Sequence, residues 1–341
     1  MDVQNINAKT NAQTAPKLSV VAPCYNEEQS ISVLASRLTA SCVTSVGDDY
    51  EIVLVNDGSK DTTWDRICAL AAQDKHIIAV NLSRNHGHQL ALSAGLTICR
   101  GQRILIIDAD LQDPPELLGK MMALMDQGAD IVYGQRTQRR GETIFKRSSA
   151  ALFYRILNRL VEIDIPQDTG DFRLISRRAV DILNTMPERS RFIRGMVSWI
   201  GLRQVPLKYE RDARYAGETK YPLRKMIRFA LDAVTSFSTV PMRIASYVGL
   251  VTGCIGLFSL VYIFITWFQG RNVQGWTSLM VIVLVIGSAQ LLCLGVFGEY
   301  LGRLYMESKR RPLFIIDEIV CAGQTKVISP SESKESDNAA A

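Results

Sequence analysis

Along this chain the spacing of apolar residues changes character once, near Pro241. Before that point, from Leu18, one rhythm repeats: a short apolar run, a polar or acidic turn, then a stretch with apolar residues at helical spacing. It predicts strands at Leu18 to Ala22, Tyr50 to Asn56, Ile77 to Asn81, Arg103 to Asp108 and Ile131 to Gly134. Helices are expected to begin near Glu28, Thr62, Gly87 and Pro115. Strands alternating with helices imply an α/β head, a parallel sheet flanked by helices. Open parallel sheets receive ligands outside the carboxyl ends of their strands, so Tyr25-Asn26-Glu27, Asp57 and Asp108-Ala109-Asp110 are expected to converge.

After Pro241 the pattern becomes continuous. Ile244 to Phe268 and Trp276 to Leu301 are each long enough to cross about 30 Å of hydrocarbon at roughly 1.5 Å per residue. The turn-like stretch from Gln269 to Gly275 joins them into a hairpin with both ends on one side. Arg224, Lys225, Arg228 and Arg243 precede it and Arg303, Lys309, Arg310 and Arg311 follow it, whereas the loop holds only Arg271. That asymmetry puts the head and both termini in the cytoplasm and makes the chain multi-pass in the inner membrane. Trp267, Trp276 and Tyr262 fit an interfacial aromatic belt. Pro222 to Pro241 reads either as an interfacial helix or as an amphipathic helix packed on the head. The expected organisation is a disordered lead (1–16), a catalytic head (17–221), amphipathic helices (222–242), two spans (243–304) and a cytoplasmic C-terminal segment (305–341).

Composition narrows the partners. Hydrophobic residues make up 47% of the 341, concentrated in the last third. The formal charge of +5 gathers beside the apolar runs, which favours a lipid bilayer and argues against nucleic acid. The 7 cysteines show no CxxC spacing and read as reduced thiols, and the first sixteen residues lack the apolar core of a secretory signal.

Chemistry is concentrated where the fourth strand ends. Asp108 and Asp110 leave the apolar run Ile104-Leu105-Ile106-Ile107 two residues apart, ahead of the turn at Pro114-Pro115, with Gln112 as a further oxygen donor. Oxygen ligands in that pattern suit Mg²⁺ or Mn²⁺. Beside this triplet stand Val20-Val21-Ala22-Pro23-Cys24-Tyr25-Asn26-Glu27-Glu28, Val53-Leu54-Val55-Asn56-Asp57-Gly58-Ser59 and Ser83-Arg84-Asn85-His86-Gly87. With Asp108 to Glu116, they resemble the successive signatures of family 2 glycosyltransferases, in order and in spacing. Thr169-Gly170-Asp171-Phe172-Arg173-Leu174 and the two-span tail resemble the polyprenyl-phosphate branch, which holds bactoprenol glucosyltransferases and dolichol-phosphate mannosyltransferases.

The resemblance implies a GT-A (Rossmann-like) nucleotide-sugar-binding domain with a C-terminal two-helix transmembrane hairpin. It implies an inverting transfer of a hexose from UDP-glucose or GDP-mannose to a polyprenyl phosphate, and an assembly like the branch's homotetramers. Pro23, Tyr25, Asn26, Glu27 and Asp57 would hold the base and ribose, Asp108 ribose or metal, and Asp110 and Gln112 the metal. Arg136 would lie near a phosphate. Asp171 would act as a base, orient the donor sugar or Arg173, or simply cap the helix that follows. Arg147, Ser148 and Ser149, basic and polar beside an apolar helix, are acceptor-site candidates, against a solvated charge run. Arg214 and Lys220 resemble a segment that closes over the phosphates, against a plain linker. His86 and His88 read as capping or surface residues, against a substrate contact, and Glu299 as the ion-pair partner of Arg303 one helical turn on, against a transport pathway.

Other classes fit less well. A nicotinamide oxidoreductase would need a GxGxxG after the first strand. A processive synthase would need more spans and a QxxRW, and Arg191-Phe192-Ile193-Arg194-Gly195 stands in that place without the tryptophan. A noncatalytic membrane adaptor is the nonenzyme alternative, against which the complete set Asp108, Asp110, Gln112 and Asp171 argues.

Overall fold

The computed structural model describes residues 15–137, 169–210, 240–269, 275–322 and 324–327. The chain divides into two units, a head that also takes in everything after Arg311, and a second unit that contains the two long helices.

In the head, β1 (Leu18–Cys24), β2 (Tyr50–Asn56), β3 (Ile77–Leu82) and β4 (Arg103–Ile106) pair in parallel, β1 lying between β2 and β4. Every side chain of β1 and β2 is buried, as continuous apolar strands covered on both faces require. The covering helices are α1 (Ile31–Val46), α2 (Thr63–Gln73), α3 (His88–Ile98) and α4 (Leu118–Asp126), the last preceded by a 3₁₀ turn at Pro115–Leu117. α1 starts three residues later than expected because Glu27 to Ser30 first form a turn, with the Ser30 and Ile31 amides donating to the Glu27 carbonyl.

The sheet is mixed, which corrects the expectation of a purely parallel one. β6 (Thr169–Ser176) runs antiparallel between β4 and β5 (Ile131–Arg136), and β7 (Gln204–Tyr209) pairs in parallel with β5 at the edge. β6 escapes the apolar pattern because two of its buried residues, Asp171 and Arg173, are charged. β8 (Ile316–Cys321) lies antiparallel on β3, and β9 (Gln324–Val327) on β8. The strand order is thus β7-β5-β6-β4-β1-β2-β3-β8-β9, and the segment expected only as a C-terminal tail supplies two of the strands. Between β6 and β7 lie α5 (Arg177–Thr185), capped by the Ser176 side chain, and α6 (Ile193–Ile200).

The second unit contains α7 (Val240–Phe268) and α8 (Trp276–Ser308). Their spanning segments have mean hydropathies of 2.3 and 1.9, and none of either is buried. Apolar side chains such as Leu250, Phe258, Leu291 and Leu294 face outward, which makes the two helices candidate membrane spans. The expected Arg303–Glu299 ion pair is present at 3.2 Å. Tyr262 is exposed; the side chains of Trp267 and Trp276 lie outside the described residues.

Candidate functional site

Three loops meet at the carboxyl ends of the parallel strands. Pro23 is buried near the end of β1, and after the strand Tyr25 is 42% exposed and Asn26 adopts a left-handed φ of 55°. That conformation lets the Asn26 amide donate to Ser59 Oγ (3.0 Å) while Asn26 Oδ1 accepts from the Lys60 amide (2.9 Å). The Glu27 amide donates to Thr63 Oγ1 at 2.8 Å, and the Glu27 carboxylate accepts from Ser30. After β2, buried Asp57 accepts from the backbone amides of His86 (2.7 Å) and Gly87 (3.0 Å), tying the third loop to the second. Gly58 between them has φ 62°, and a Cβ there would lie 2.5 Å from the Asn85 nitrogen. Asn26, Glu27 and Asp57 therefore hold the loops together, with Tyr25 exposed beside them.

After β4 the chain turns through Asp108, Asp110 and Gln112, with the Gln112 amide donating to Asp110 Oδ1 at 3.2 Å. Leu111 sits between them buried and at φ 60°, a strained conformation for a branched residue and one that marks functional turns.

Asp108 faces two groups from other elements. His88, the first residue of α3, brings Nε2 to 3.4 Å from Asp108 Oδ1 and 3.2 Å from Asp171 Oδ2. The ligand atoms of these three residues lie within 4.8 Å of one another. Asp171 is further held by Gln89 Nε2 (3.1 Å) and Arg194 Nε (2.7 Å). Gln89 Oε1 meanwhile accepts from the Ile193 amide at the start of α6, which fixes where Arg194 stands.

The electrostatics separate the two carboxylates. Burial alone would raise the Asp171 carboxyl, but Arg194, His88 and Arg173 hold it well below the ordinary range. Asp108 goes the other way: burial, with the charges of Asp171, Asp113 and Asp110, outweighs His88 and pushes it up to about 6. Burial would lower His88, yet the hydrogen bond to Asp171 and the charge of Asp108 raise it. Asp108 Oδ1 makes no hydrogen bond, so the cluster carries a buried, electron-rich oxygen whose charge a cation would stabilise.

Two expectations change here. His88 is a member of the acidic cluster rather than a surface cap, because the first turn of α3 points its ring across the strand ends. Asp171 does not cap α5, since Ser176 does, and its carboxylate partners Arg194 rather than Arg173, whose guanidinium donates to the carbonyls of Gly170 and Asp171. Gln89 and Arg194 were not anticipated, although Arg194 lies in the one stretch set beside the synthase signature. Arg136 ends β5. Arg147, Ser148, Ser149, Arg214 and Lys220 lie outside the described residues, as do Pro222 to Thr239 of the proposed interfacial helix.

Residues 19–183 match the family described as Glycosyl transferase family 2, and residues 240–304 match the GtrB C-terminal hairpin. The chain is 44% identical over 301 residues to the uncharacterized glycosyltransferase YkcC of Bacillus subtilis (strain 168), covering 88% of this chain and 93% of that one. It is 39% identical over 304 residues to the prophage bactoprenol glucosyl transferase homolog of Escherichia coli (strain K12), covering 89% and 99%. It is also 39% identical over 301 residues to the bactoprenol glucosyl transferase of Shigella phage SfV, covering 88% and 98%.

Proposed function

Because the chain belongs to glycosyl transferase family 2 and carries the GtrB C-terminal hairpin, we propose that it transfers a hexose from UDP-glucose or GDP-mannose to a polyprenyl phosphate, at the cytoplasmic face of the membrane. The relatives named as bactoprenol glucosyl transferases, covered almost end to end, support the acceptor class and favour glucose as the sugar. Chain order supports the topology. Strands β7 and β8 belong to one sheet although both candidate spans lie between them in sequence, which supports both flanks of the hairpin on one side of a bilayer. The arginine and lysine excess in those flanks favours the cytoplasm.

The observation that carries the proposal is the carboxylate cluster at the strand ends. The His88, Asp108 and Asp171 cluster offers ligand atoms within 4.8 Å of one another, and Asp108, with Asp110 and Gln112 on the turn that follows, would hold a hard divalent cation, Mg²⁺ or Mn²⁺. When bound, such an ion supplies positive charge to a diphosphate leaving group. Tyr25 offers an aromatic face to the base, and the knitted loops after β1 and β2 form the wall for the ribose.

The transfer is a single inverting displacement. An oxygen of the acceptor phosphate forms a bond to the anomeric carbon as the bond from that carbon to the nucleoside diphosphate breaks, the electron pair leaving with the diphosphate. A phosphate monoester is largely ionised near neutral pH, so no strong base is needed. Asp171 suits that requirement: held as a carboxylate by Arg194, Gln89 and His88, it anchors Arg194 beside the reacting groups instead of collecting a proton.

The test is to incubate membranes containing the protein with undecaprenyl phosphate, Mn²⁺ and separately radiolabelled UDP-glucose, GDP-mannose and UDP-N-acetylglucosamine. Label should pass into the organic extract with UDP-glucose or GDP-mannose. Absence of a labelled lipid with every donor would refute the proposal.

A further inference from the structure

Arg136 has a support that the transfer chemistry above does not use. Tyr209, the last residue of β7, donates its hydroxyl to Asp113 Oδ1 at 2.5 Å and stands directly opposite Arg136 in the β5–β7 pairing, close enough for the guanidinium to act on the phenol. Asp113 is wholly buried and Tyr209 nearly so, and the Tyr209 ring packs edge-on against Phe172 at 5.7 Å. The arrangement has a fixed direction. Burial and the neighbouring carboxylate push the phenol well up, so it keeps its proton; that proton goes to Asp113, which leaves the oxygen to accept from Arg136.

Backbone geometry completes the clamp. A Cβ on Gly170 would lie 2.6 Å from Arg136 Nη2, so the glycine leaves room for the guanidinium where it now lies beside β6, one residue before Asp171. Arg136 Nε is buried without a hydrogen-bond partner, leaving a donor unused by the protein. The acid sits on the same turn as Asp108 and Asp110, and the phenol on the edge strand.

We infer that Asp113 and Tyr209 are positioning residues that hold the Arg136 guanidinium for a phosphate oxyanion, linking the turn after β4 to the edge strand β7. This rests on the proposed transferase reading, in which that oxyanion belongs either to the donor diphosphate or to the acceptor phosphate.

The test is a double-mutant cycle on the full-length protein, reading binding of UDP-glucose, GDP-mannose and a short-chain polyprenyl phosphate by calorimetry, and KM against kcat for transfer. Tyr209→Phe keeps the ring and should weaken one phosphate ligand about tenfold, as loss of an oriented charge-assisted hydrogen bond does. The arm that weakens identifies the phosphate. In the Arg136→Ala background Tyr209→Phe should cost nothing further, because its effect runs through the arginine. Asp113→Asn, which keeps an acceptor for the phenol, should retain near-normal affinity where Asp113→Ala does not. If Tyr209→Phe fails to fold, the Asp113→Ala and Arg136→Ala pair closes the same cycle. Additive losses, or a lower melting temperature with unchanged affinities, would overturn the inference alone; a wild-type protein that binds none of the three ligands would remove it together with the transferase reading.

Discussion

Glu51 and Asp171 are both buried carboxylates on strands of one sheet, at opposite ends of it, and both are paired with arginine. Near the start of β2, Glu51 accepts from Ser19 Oγ (2.7 Å), from the Arg100 amide (2.5 Å) and from Arg100 Nε and Nη2 (3.0 and 2.9 Å). One acid meets one cation there, and both carboxylate oxygens are served. At the other end Asp171 is equally well served, but Asp108 beside it is left with a raised pKa and an oxygen that makes no hydrogen bond. His88, 42% exposed, opens that cluster to solvent. The difference teaches that burial of charge alone does not mark a site. A closed, fully bonded pair fastens strands together, whereas a cluster that leaves one buried carboxylate oxygen without a hydrogen bond favours a proton or a cation there.

The largest effect that would test this contrast is Asp108→Asn. It should reduce sugar transfer on the order of a hundredfold or more while the protein stays folded, because it removes charge from the open cluster rather than packing from the core. A radiolabel assay with a melting curve alongside decides it, and near-normal turnover would break the comparison. Glu51→Ala should do the reverse, lowering stability by about 3 kcal/mol by leaving Arg100 without its partner, with kcat of the folded fraction unchanged. Chemical denaturation and active-site-normalised rates separate the two.

The smallest effect is the pH dependence. Asp108 is raised from 3.8 to about 6, so the folded protein without divalent ion holds an extra proton between those values. The stabilisation this gives is present below pH 4 and is lost as pH rises through about 6. Asp171 is lowered, so its contribution is present above 3.8 and is lost only on further acidification. A divalent ion must displace the Asp108 proton, and Mn²⁺ should therefore raise the melting temperature more at pH 7.5 than at pH 5. An equal increase at both values would show that Asp108 is not part of the cation site.

Local pattern was sufficient for much of the head and for the hairpin. Continuous apolar runs such as Val20 to Ala22 and Ile104 to Ile107 suit strands covered on both faces, and the uninterrupted apolar stretch of α7 suits a membrane span. The signatures around Asn26, Asp57 and Asp108 likewise announce themselves in short contiguous stretches, because each is a loop leaving one strand. β6 and β8 were hidden for opposite reasons. The first buries charge where the pattern demands apolar residues, and the second follows two membrane spans yet pairs with a strand more than two hundred residues earlier.

Which residues meet was decided by the sheet. His88, Asp108, Asp171 and Arg194 come from four separate elements, and no spacing along the chain relates them. Residue types alone raised the expectation of a hard-cation site and of a bilayer partner, since those properties reside in carboxylate oxygens and hydrocarbon side chains. Tertiary structure decided that Asp171 is clamped and Asp108 is not, because a pKa depends on the distances between charges and on how much water is excluded around them, quantities that exist only once the strands are paired.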